Sequence, residues 1–243
     1  YLYLNQRKML YFPQGLDRSW EHIKVNAEFE YEFNRDGVAL RGWLLNPHNA
    51  RLVIYYGGNG EELSLNIEQY QRLEDVAFLL VNYRGYGDSE GAPTEVNLVG
   101  DALAIFDELS ERYSSIVLMG RSLGSGVAIQ VASKREVNNL VLVTPYDSIA
   151  AVAQGIYPWA PISLLIKDPY DSLQASEDVH QKALFLIAEF DDIIPNQHSR
   201  KLADHWRGEF DWVLVEDANH NSITEFPAYW EALTKHLINK NGR

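Results

Sequence analysis

The feature that most constrains the fold is the alternation of short apolar runs with segments of helical periodicity. Six runs are almost free of polar residues and are predicted as strands, at 52–56, 77–82, 116–119, 140–144, 183–188 and 212–215. Runs of this length and composition are typical of strands covered on both faces, as in a parallel sheet. In the intervening segments apolar residues recur at spacings of three and four, as they do between residues 96 and 109. The alternation predicts an α/β fold with a mostly parallel sheet and helices on both faces.

Two further strands are predicted before these runs, at 28–34 and 38–45, where apolar and polar residues alternate. The turn Arg35-Asp36-Gly37 joins them, which indicates an antiparallel hairpin at one edge of an eight-stranded sheet. Helices are predicted at 61–73, 96–109, 123–134, 196–206 and 226–238. Because no Pro-, Gly- or Ser-rich linker interrupts the pattern, we expect a single domain over residues 1–243, with residues 1–27 as an N-terminal extension that packs on the core.

The composition excludes several classes of binding partner and of functional site. The 21 basic and 34 acidic residues give a net charge of −13, and a field of this sign repels nucleic acids and anionic membrane surfaces. Cysteine is absent, which excludes a disulfide scaffold, a thiolate metal site and a cysteine nucleophile. The longest charge-free stretch, 148–166, contains Pro158 and Pro161 and is too interrupted for a membrane-spanning helix. We therefore expect no nucleic-acid partner and no membrane span within residues 1–243.

The strongest chemical signal is Gly120-Arg121-Ser122-Leu123-Gly124, which lies between a predicted strand and a predicted helix. A serine in this context is held in strained backbone geometry at a helix N-terminus, where free amides favour an oxyanion. Ser122 is therefore a candidate nucleophile, and the amide of Leu123 is a candidate oxyanion donor. Two other interpretations stay open on the motif alone: a turn needed only for packing, and a dinucleotide-binding turn. The motif lacks the Gly-x-Gly that opens a dinucleotide fingerprint.

A serine nucleophile needs a base and an acid, and candidates for both follow Ser122 in the order Ser, Asp, His. Asp191 and His220 each come directly after a predicted strand. Because the carboxyl ends of parallel strands gather functional groups at one edge of a sheet, we expect the three side chains to meet there. Asp192 and Asp147 also follow predicted strands and are alternatives for the acid, with Asp191 preferred.

Four ordered motifs resemble those of the α/β-hydrolase superfamily, in particular its Bem46-like and ABHD13- and ABHD17-like serine hydrolases. They are Tyr83-Arg84-Gly85-Tyr86-Gly87-Asp88-Ser89-Glu90-Gly91, the turn around Ser122, Asp191-Asp192-Ile193-Ile194-Pro195 and Asn219-His220-Asn221. The resemblance spans nearly the whole chain and implies an α/β-hydrolase fold with a minimal lid or none, and Asp191 as the acid. Relatives in this group often carry an N-terminal membrane anchor. We therefore expect either a cytoplasmic chain or one tethered through a segment upstream of Tyr1, which is not a methionine.

The loop after the third predicted strand departs from the pattern of that group. Relatives usually have His-Gly-Asn-Ala there, whereas this chain has Gly57-Gly58-Asn59-Gly60. The resemblance implies the backbone amide of Asn59 as the second oxyanion donor, and an amide needs no particular side chain for this role. The missing histidine leaves open how the loop is held.

Residues that contact the substrate are less sharply defined by the sequence. Gly58, Arg121 and Tyr146 are candidates, although Arg121 is equally consistent with packing against neighbouring loops. Arg84 has two interpretations: a contact to a substrate carboxylate or, preferred, an ion pair that fixes its own loop. The segment 145–182 contains enough apolar residues for a short wall over the site, or for a helix packed on the sheet.

Together these residues predict a serine hydrolase that cleaves ester or thioester bonds through an acyl-enzyme intermediate. Ser122 would be the nucleophile, His220 the base and Asp191 the group that orients it. This chemistry needs no metal and no organic cofactor, and its substrate would be a small molecule or an acylated partner. The alternatives are a serine peptidase of prolyl-oligopeptidase-like fold and a non-catalytic binding protein of hydrolase fold. The sequence does not predict the oligomeric state.

Overall fold

The core of the protein is one eight-stranded sheet in a computed structural model that describes residues 2–16 and 27–238. The strands are β1 Glu30–Arg35, β2 Val38–Leu45, β3 Arg51–Tyr56, β4 Ala77–Val81, β5 Ser115–Arg121, β6 Asn139–Val143, β7 Ala183–Phe190 and β8 Phe210–Asn219. Their order is β1-β2-β4-β3-β5-β6-β7-β8, with β2 antiparallel to β1 and β4 and every other neighbouring pair parallel. This confirms the mostly parallel sheet and the antiparallel hairpin at its edge.

Helices precede, connect and follow the strands. They are α1 Leu2–Leu10, α2 Ile67–Gln71, α3 Glu95–Ser110, α4 Leu123–Ala132, α5 Ile149–Ile156, α6 Ile162–Leu165, α7 Ser172–Ala175, α8 Asn196–His205 and α9 Pro227–Ile238. The side chain of Thr94 accepts a hydrogen bond from the amide of Asn97 and so caps the N-terminus of α3. The helix predicted at 61–73 is shorter than expected and consists of a 3₁₀ turn, Leu63–Asn66, followed by α2. Its start is displaced because Glu61 accepts a hydrogen bond from the Gly58 amide of the preceding loop, and Glu62 caps the 3₁₀ turn by accepting one from the amide of Ser64.

Both faces of the sheet are covered, as expected for strands without polar residues. In β3, Leu52 and Ile54 belong to a buried cluster that includes residues of α3, α4 and α8, whereas Val53 and Tyr55 belong to a second cluster with α2 and α9. All four side chains are at most 1% exposed. Burial of each such side chain contributes about 1.5–3 kcal/mol relative to leaving it in water. The core therefore lies in two layers, one on each side of the sheet.

The N-terminal segment contacts the same core. Tyr11, just after α1, is 3% exposed, and its hydroxyl lies 3.0 Å from that of Tyr170. The Phe12 amide donates to the Asn59 carbonyl at 2.9 Å. Residues 17–26 of the predicted N-terminal extension lie outside the described residues. Over residues 2–16 and 27–238, no helix combines the length and the apolarity that a bilayer span requires.

The parallel strands all end on the same side of the sheet, at the edge formed by their carboxyl ends rather than at the lateral edges formed by β1 and β8. The loops that follow β3, β5, β7 and β8 carry Asn59, Ser122, Asp191 and His220, respectively. Sheet order therefore brings together residues that are up to 161 positions apart in the chain, and this edge holds the candidate site.

Candidate active site

Ser122 occupies a sharp turn between β5 and α4. Its φ of 51° and ψ of −118° are strained for a residue with a side chain, at a cost of about 1–3 kcal/mol. Two glycines permit the turn, because a Cβ on Gly120 would collide with the Gly124 carbonyl, and one on Gly124 with the Tyr56 carbonyl of β3. The predicted strand–turn–helix context is confirmed by these elements. The turn leaves Ser122 just before the first amides of α4, which have no partners within the helix.

The three predicted members of a triad meet at this turn. The Nε2 atom of His220 lies 3.0 Å from Ser122 Oγ, and its Nδ1 atom lies 2.8 Å from the nearer oxygen of Asp191. The amides of Ile193 and Ile194 donate to Asp191 Oδ1 at 3.0 and 2.7 Å, which fixes the carboxylate. Ser122 and His220 are buried, and the Asp191 side chain is 1% exposed. The arrangement can take a proton from Ser122 Oγ and stabilise the resulting imidazolium.

The two alternative acids have other environments. Asp192 is exposed, and Asp147 lies 2.8 Å from His198 Nδ1 and 2.8 Å from Lys201 Nζ. Burial alone would raise the pKa of Asp147, but hydrogen bonds from Lys201 and His198 outweigh it, so the pKa is lowered. Asp147 is thus the centre of a separate ion-pair cluster, and His220 pairs with Asp191.

The loop of the predicted oxyanion donor Asn59 is fixed through its other atoms. Its carbonyl accepts hydrogen bonds from the Phe12 amide and the Tyr86 hydroxyl, the latter at 2.7 Å. Its side-chain amide donates to the Leu10 carbonyl at 2.8 Å. Asn59 and the other predicted oxyanion donor, Leu123, both line the same cavity as Ser122.

Glu61 holds the glycine-rich loop, a role that the sequence analysis missed. Its carboxylate accepts hydrogen bonds from the Gly58 amide at 2.7 Å and from the Tyr55 hydroxyl at 2.9 Å. Arg121 Nη1 lies 3.5 Å from Glu61, and Arg121 Nη2 donates to the His220 carbonyl at 3.1 Å. Burial by itself lowers the pKa of Arg121, but the charge of Glu61, together with smaller contributions from neighbouring tyrosines, outweighs burial and raises that pKa. Glu61 and Arg121 therefore link the loop of Asn59 to the loop of His220.

A cavity of about 720 Å³ lies against these residues. Its floor includes Ser122, His220 and the predicted contact residues Gly58 and Arg121. Its walls come from α1, α5, α6 and the residues beside them, so the apolar wall expected within 145–182 is present but shared with the N-terminal helix. Trp159 (76% exposed) does not line the cavity. Over the described ranges, 2–16 and 27–238, no group of three His, Cys, Asp or Glu side chains is placed to hold a metal ion.

Comparisons with known proteins identify the family of the chain. The sequence profile of the alpha/beta hydrolase family matches residues 57–176. An uncharacterized protein of Mycobacterium tuberculosis (strain CDC 1551 / Oshkosh) is 31% identical over 233 residues, which cover 91% of this chain and 82% of that protein. The chain belongs to the alpha/beta hydrolase family.

Two further comparisons concern the resemblance to Bem46-like proteins and the fold of this hydrolase. Protein bem46 of Schizosaccharomyces pombe is 29% identical over 223 residues, or 80% of this chain and 73% of that protein. An esterase of Pyrococcus furiosus has the same fold, with a TM-score of 0.73 at 19% identity over 94% of this chain and 96% of the esterase. The resemblance to Bem46-like proteins and the α/β-hydrolase fold are thereby confirmed.

Two predicted residues of the hydrolase have roles that the structure now describes. Arg84 forms a bidentate ion pair with buried Asp101, with both N–O distances at 2.7 Å. This agrees with the preferred interpretation, in which Arg84 fixes its own loop. The prediction of Tyr146 as a substrate contact is wrong for this cavity. Tyr146 is fully buried beneath α4, where its hydroxyl donates to the Leu123 carbonyl at 3.1 Å. The apolar composition of segment 145–182 does not determine which of its aromatic side chains face the cavity, which face the core and which face solvent.

Proposed function

We propose that this hydrolase cleaves ester or thioester bonds with Ser122 as its nucleophile. The observation that carries the proposal is the chain of hydrogen bonds from Ser122 through His220 to Asp191 at the floor of a cavity. Membership of the alpha/beta hydrolase family supports the class of reaction, and the backbone strain at Ser122 supports its role, since such strain is concentrated at functional sites.

The proposed reaction has two halves. His220 accepts the proton of Ser122 Oγ as this oxygen forms a bond to the carbonyl carbon, and the carbonyl π electrons move to the oxygen. The amides of Leu123 and Asn59 would stabilise that oxyanion, while Asp191 stabilises the imidazolium. When the carbonyl re-forms, the alcohol or thiol departs with the proton from His220. Water then attacks the acyl-enzyme, again with His220 as base, and releases the acid and free Ser122.

The network around Glu61 supports the proposed oxyanion site. Because Glu61 binds the Gly58 amide, that amide is already occupied, which favours the next amide, that of Asn59, as the donor. The hydrogen bonds of the Asn59 carbonyl and side chain fix the same peptide segment before substrate binds. Preorganisation of this kind is what makes an oxyanion donor effective, because no reorganisation is needed during the reaction.

The test is turnover of matched acyl substrates by the purified chain. Acetyl and butyryl p-nitrophenyl esters and a butyryl thioester are compared with peptide p-nitroanilides, in wild type and in Ser122→Ala. Ser133→Ala, at the C-terminus of α4, is the matched control for the loss of a hydroxyl. We expect ester and thioester turnover that is lost in Ser122→Ala and kept in Ser133→Ala. Cleavage of the anilides alone would support the peptidase alternative, and no turnover by the folded chain would contradict the proposal.

A further inference from the structure

We propose that the cavity above Ser122 binds a linear, uncharged aliphatic acyl chain, so that medium-chain acyl esters or thioesters are preferred over acetyl ones. The inference rests on the proposed function, because it assigns the acyl side of the bond that Ser122 would attack. It is carried by three features of the cavity: its aliphatic walls, the pairing of its charged groups and the way its two walls are joined.

One wall is an aliphatic face of α5. Ile149, Val152, Ala153 and Ile156 follow one another at spacings of three, one and three residues, so they lie on one face of the helix, and all four line the cavity. Ile162 of α6 extends this face. A surface of branched aliphatic side chains offers no hydrogen bonds to sugars or peptides. It favours a hydrocarbon chain.

Each charged group of the cavity already has an ion-pair or hydrogen-bond partner within the protein. Four charged side chains other than His220 line it among the described residues: Glu61, Glu62, Arg121 and Asp168. Arg121 faces Glu61, Asp168 accepts a hydrogen bond from Arg7 at 2.7 Å, and Glu62 accepts hydrogen bonds from a serine two residues further on. An anionic acyl group would therefore lose water without gaining a free positive charge, because Arg121 is paired with Glu61, and this loss is costly. An uncharged chain avoids that cost.

The second wall is α1, which is held to α6 and the residues after it by hydrogen bonds of Gln6, a residue that itself lines the cavity. Gln6 Nε2 donates to the Leu165 carbonyl at 3.0 Å, and the Lys167 amide donates to Gln6 Oε1 at 2.6 Å. At its other end, α1 contacts the oxyanion loop through the bond from Asn59 to the Leu10 carbonyl. The two walls and the predicted oxyanion loop thus form one connected unit. A chain between the walls would leave its carbonyl next to Ser122.

The size of the cavity determines how kcat/KM should change with the length of the acyl chain. A volume of about 720 Å³ is within the range of drug-sized ligands, about 300–1,000 Å³, and an acetyl group would leave most of it empty. Each methylene removed from water contributes about fourfold to kcat/KM, so longer chains gain until the cavity is filled.

The experiment measures kcat/KM for acetyl, butyryl, hexanoyl and octanoyl p-nitrophenyl esters below their aggregation limits. We expect octanoyl to exceed acetyl by at least about tenfold, which requires burial of only two or three methylenes. Ala153→Phe places a ring in the cavity and should lower octanoyl turnover more than acetyl turnover, so that the octanoyl-to-acetyl ratio of kcat/KM loses most of this gain. Ala151→Phe is the matched control, because Ala151 lies on the opposite face of α5 and does not line the cavity.

The outcomes separate this inference from the proposed function. Acetyl turnover with a flat or falling chain-length series would overturn the acyl-chain site and leave Ser122 as the nucleophile. An equal fall of acetyl and octanoyl turnover in Ala153→Phe, or the same selective loss in Ala151→Phe, would also overturn it. No turnover of any ester by the folded wild type would instead contradict the proposed function itself.

Discussion

Two aspartate–histidine pairs in this hydrolase have nearly the same local geometry and different surroundings. Asp191 follows β7 and lies 2.8 Å from His220, and Asp147 follows β6 and lies 2.8 Å from His198. All four side chains are almost completely withdrawn from water, since the most exposed of them, that of His198, is 11% exposed. The pairs differ in what lies beyond them. In the first pair, the other ring nitrogen of His220, Nε2, lies 3.0 Å from Ser122 Oγ. In the second pair, Asp147 also binds the ammonium group of Lys201.

The difference shows that a buried Asp–His pair does not by itself define a catalytic site. Asp191 accepts hydrogen bonds from the amides of Ile193 and Ile194, which carry no charge. Its negative charge is therefore available to stabilise the imidazole of His220. Asp147 shares its charge with the ammonium group of Lys201, and its pair joins α8 to the loop after β6. We interpret the first pair as part of the reaction and the second as part of the fold. Substitutions in the first pair should therefore affect mainly activity, and substitutions in the second mainly stability.

The largest expected difference is between the two histidines. His220→Ala should lower kcat/KM for an ester about 10⁴-fold or more, because it removes both the base and the leaving-group acid. His198→Ala should leave kcat/KM within about threefold, and it should lower the free energy of unfolding by about 1–3 kcal/mol, because Asp147 loses a partner. Steady-state kinetics and urea unfolding of both variants test this. Comparable losses of activity in the two variants would contradict the assignment.

A smaller effect, on stability alone, is expected at Asp147. Asp147→Asn should lower the free energy of unfolding by about 2–4 kcal/mol at neutral pH, because the buried carboxylate loses its charge and with it the charge-assisted hydrogen bonds from His198 and the half-exposed Lys201. Asp192→Asn, at an exposed neighbour of the other pair, should change it by no more than about 0.5 kcal/mol. Urea unfolding measures both, and kcat should be retained in both. A large loss of kcat in Asp147→Asn without unfolding would contradict the structural role.

The stability difference between wild type and Asp147→Asn should depend on pH. The pKa of Asp147 is lower in the folded than in the unfolded chain, because hydrogen bonds from Lys201 and His198 outweigh burial. Its contribution is therefore present at neutral pH and is lost as the pH falls through that lowered pKa. Urea midpoints measured from neutral to acidic pH should converge for the two proteins. A difference that widens in acid would show that the sign is wrong.

The smallest effect is expected at Glu61, beside the first pair. Glu61→Gln should lower kcat about tenfold with little change in KM, because the Gly58 amide and Arg121 lose the charge that positions the oxyanion loop. Glu62→Gln is the matched control, since Glu62 binds Ser64 instead. Steady-state kinetics on one ester separates the two parameters. A rise in KM with unchanged kcat would indicate a substrate contact and contradict the positioning role.

The sequence predicted those parts of this account that depend on local pattern and chain order. The buried strands were recognisable because they lack polar residues, and Ser122, Asp191 and His220 were candidates because each follows a predicted apolar run. β8 was predicted too short, at 212–215 against Phe210–Asn219, because most of its residues are exposed or half-buried at the sheet edge and do not form an apolar run. The link between Glu61 and Arg121 joins residues 60 positions apart and has no local signature. The wall formed by α1 likewise depends on contacts to residues 165–168.

The most direct test of the central claim is covalent labelling with a fluorophosphonate, which phosphonylates an activated serine and releases fluoride. Intact mass and peptide mapping would follow the reaction in wild type, Ser122→Ala, His220→Ala and His198→Ala. We predict one adduct on Ser122 in the wild type, none at that peptide in Ser122→Ala, strongly slowed labelling in His220→Ala and an unchanged rate in His198→Ala. A folded wild type that stays unlabelled, or labelling that persists in Ser122→Ala at the wild-type rate, would contradict the assignment of Ser122 and His220.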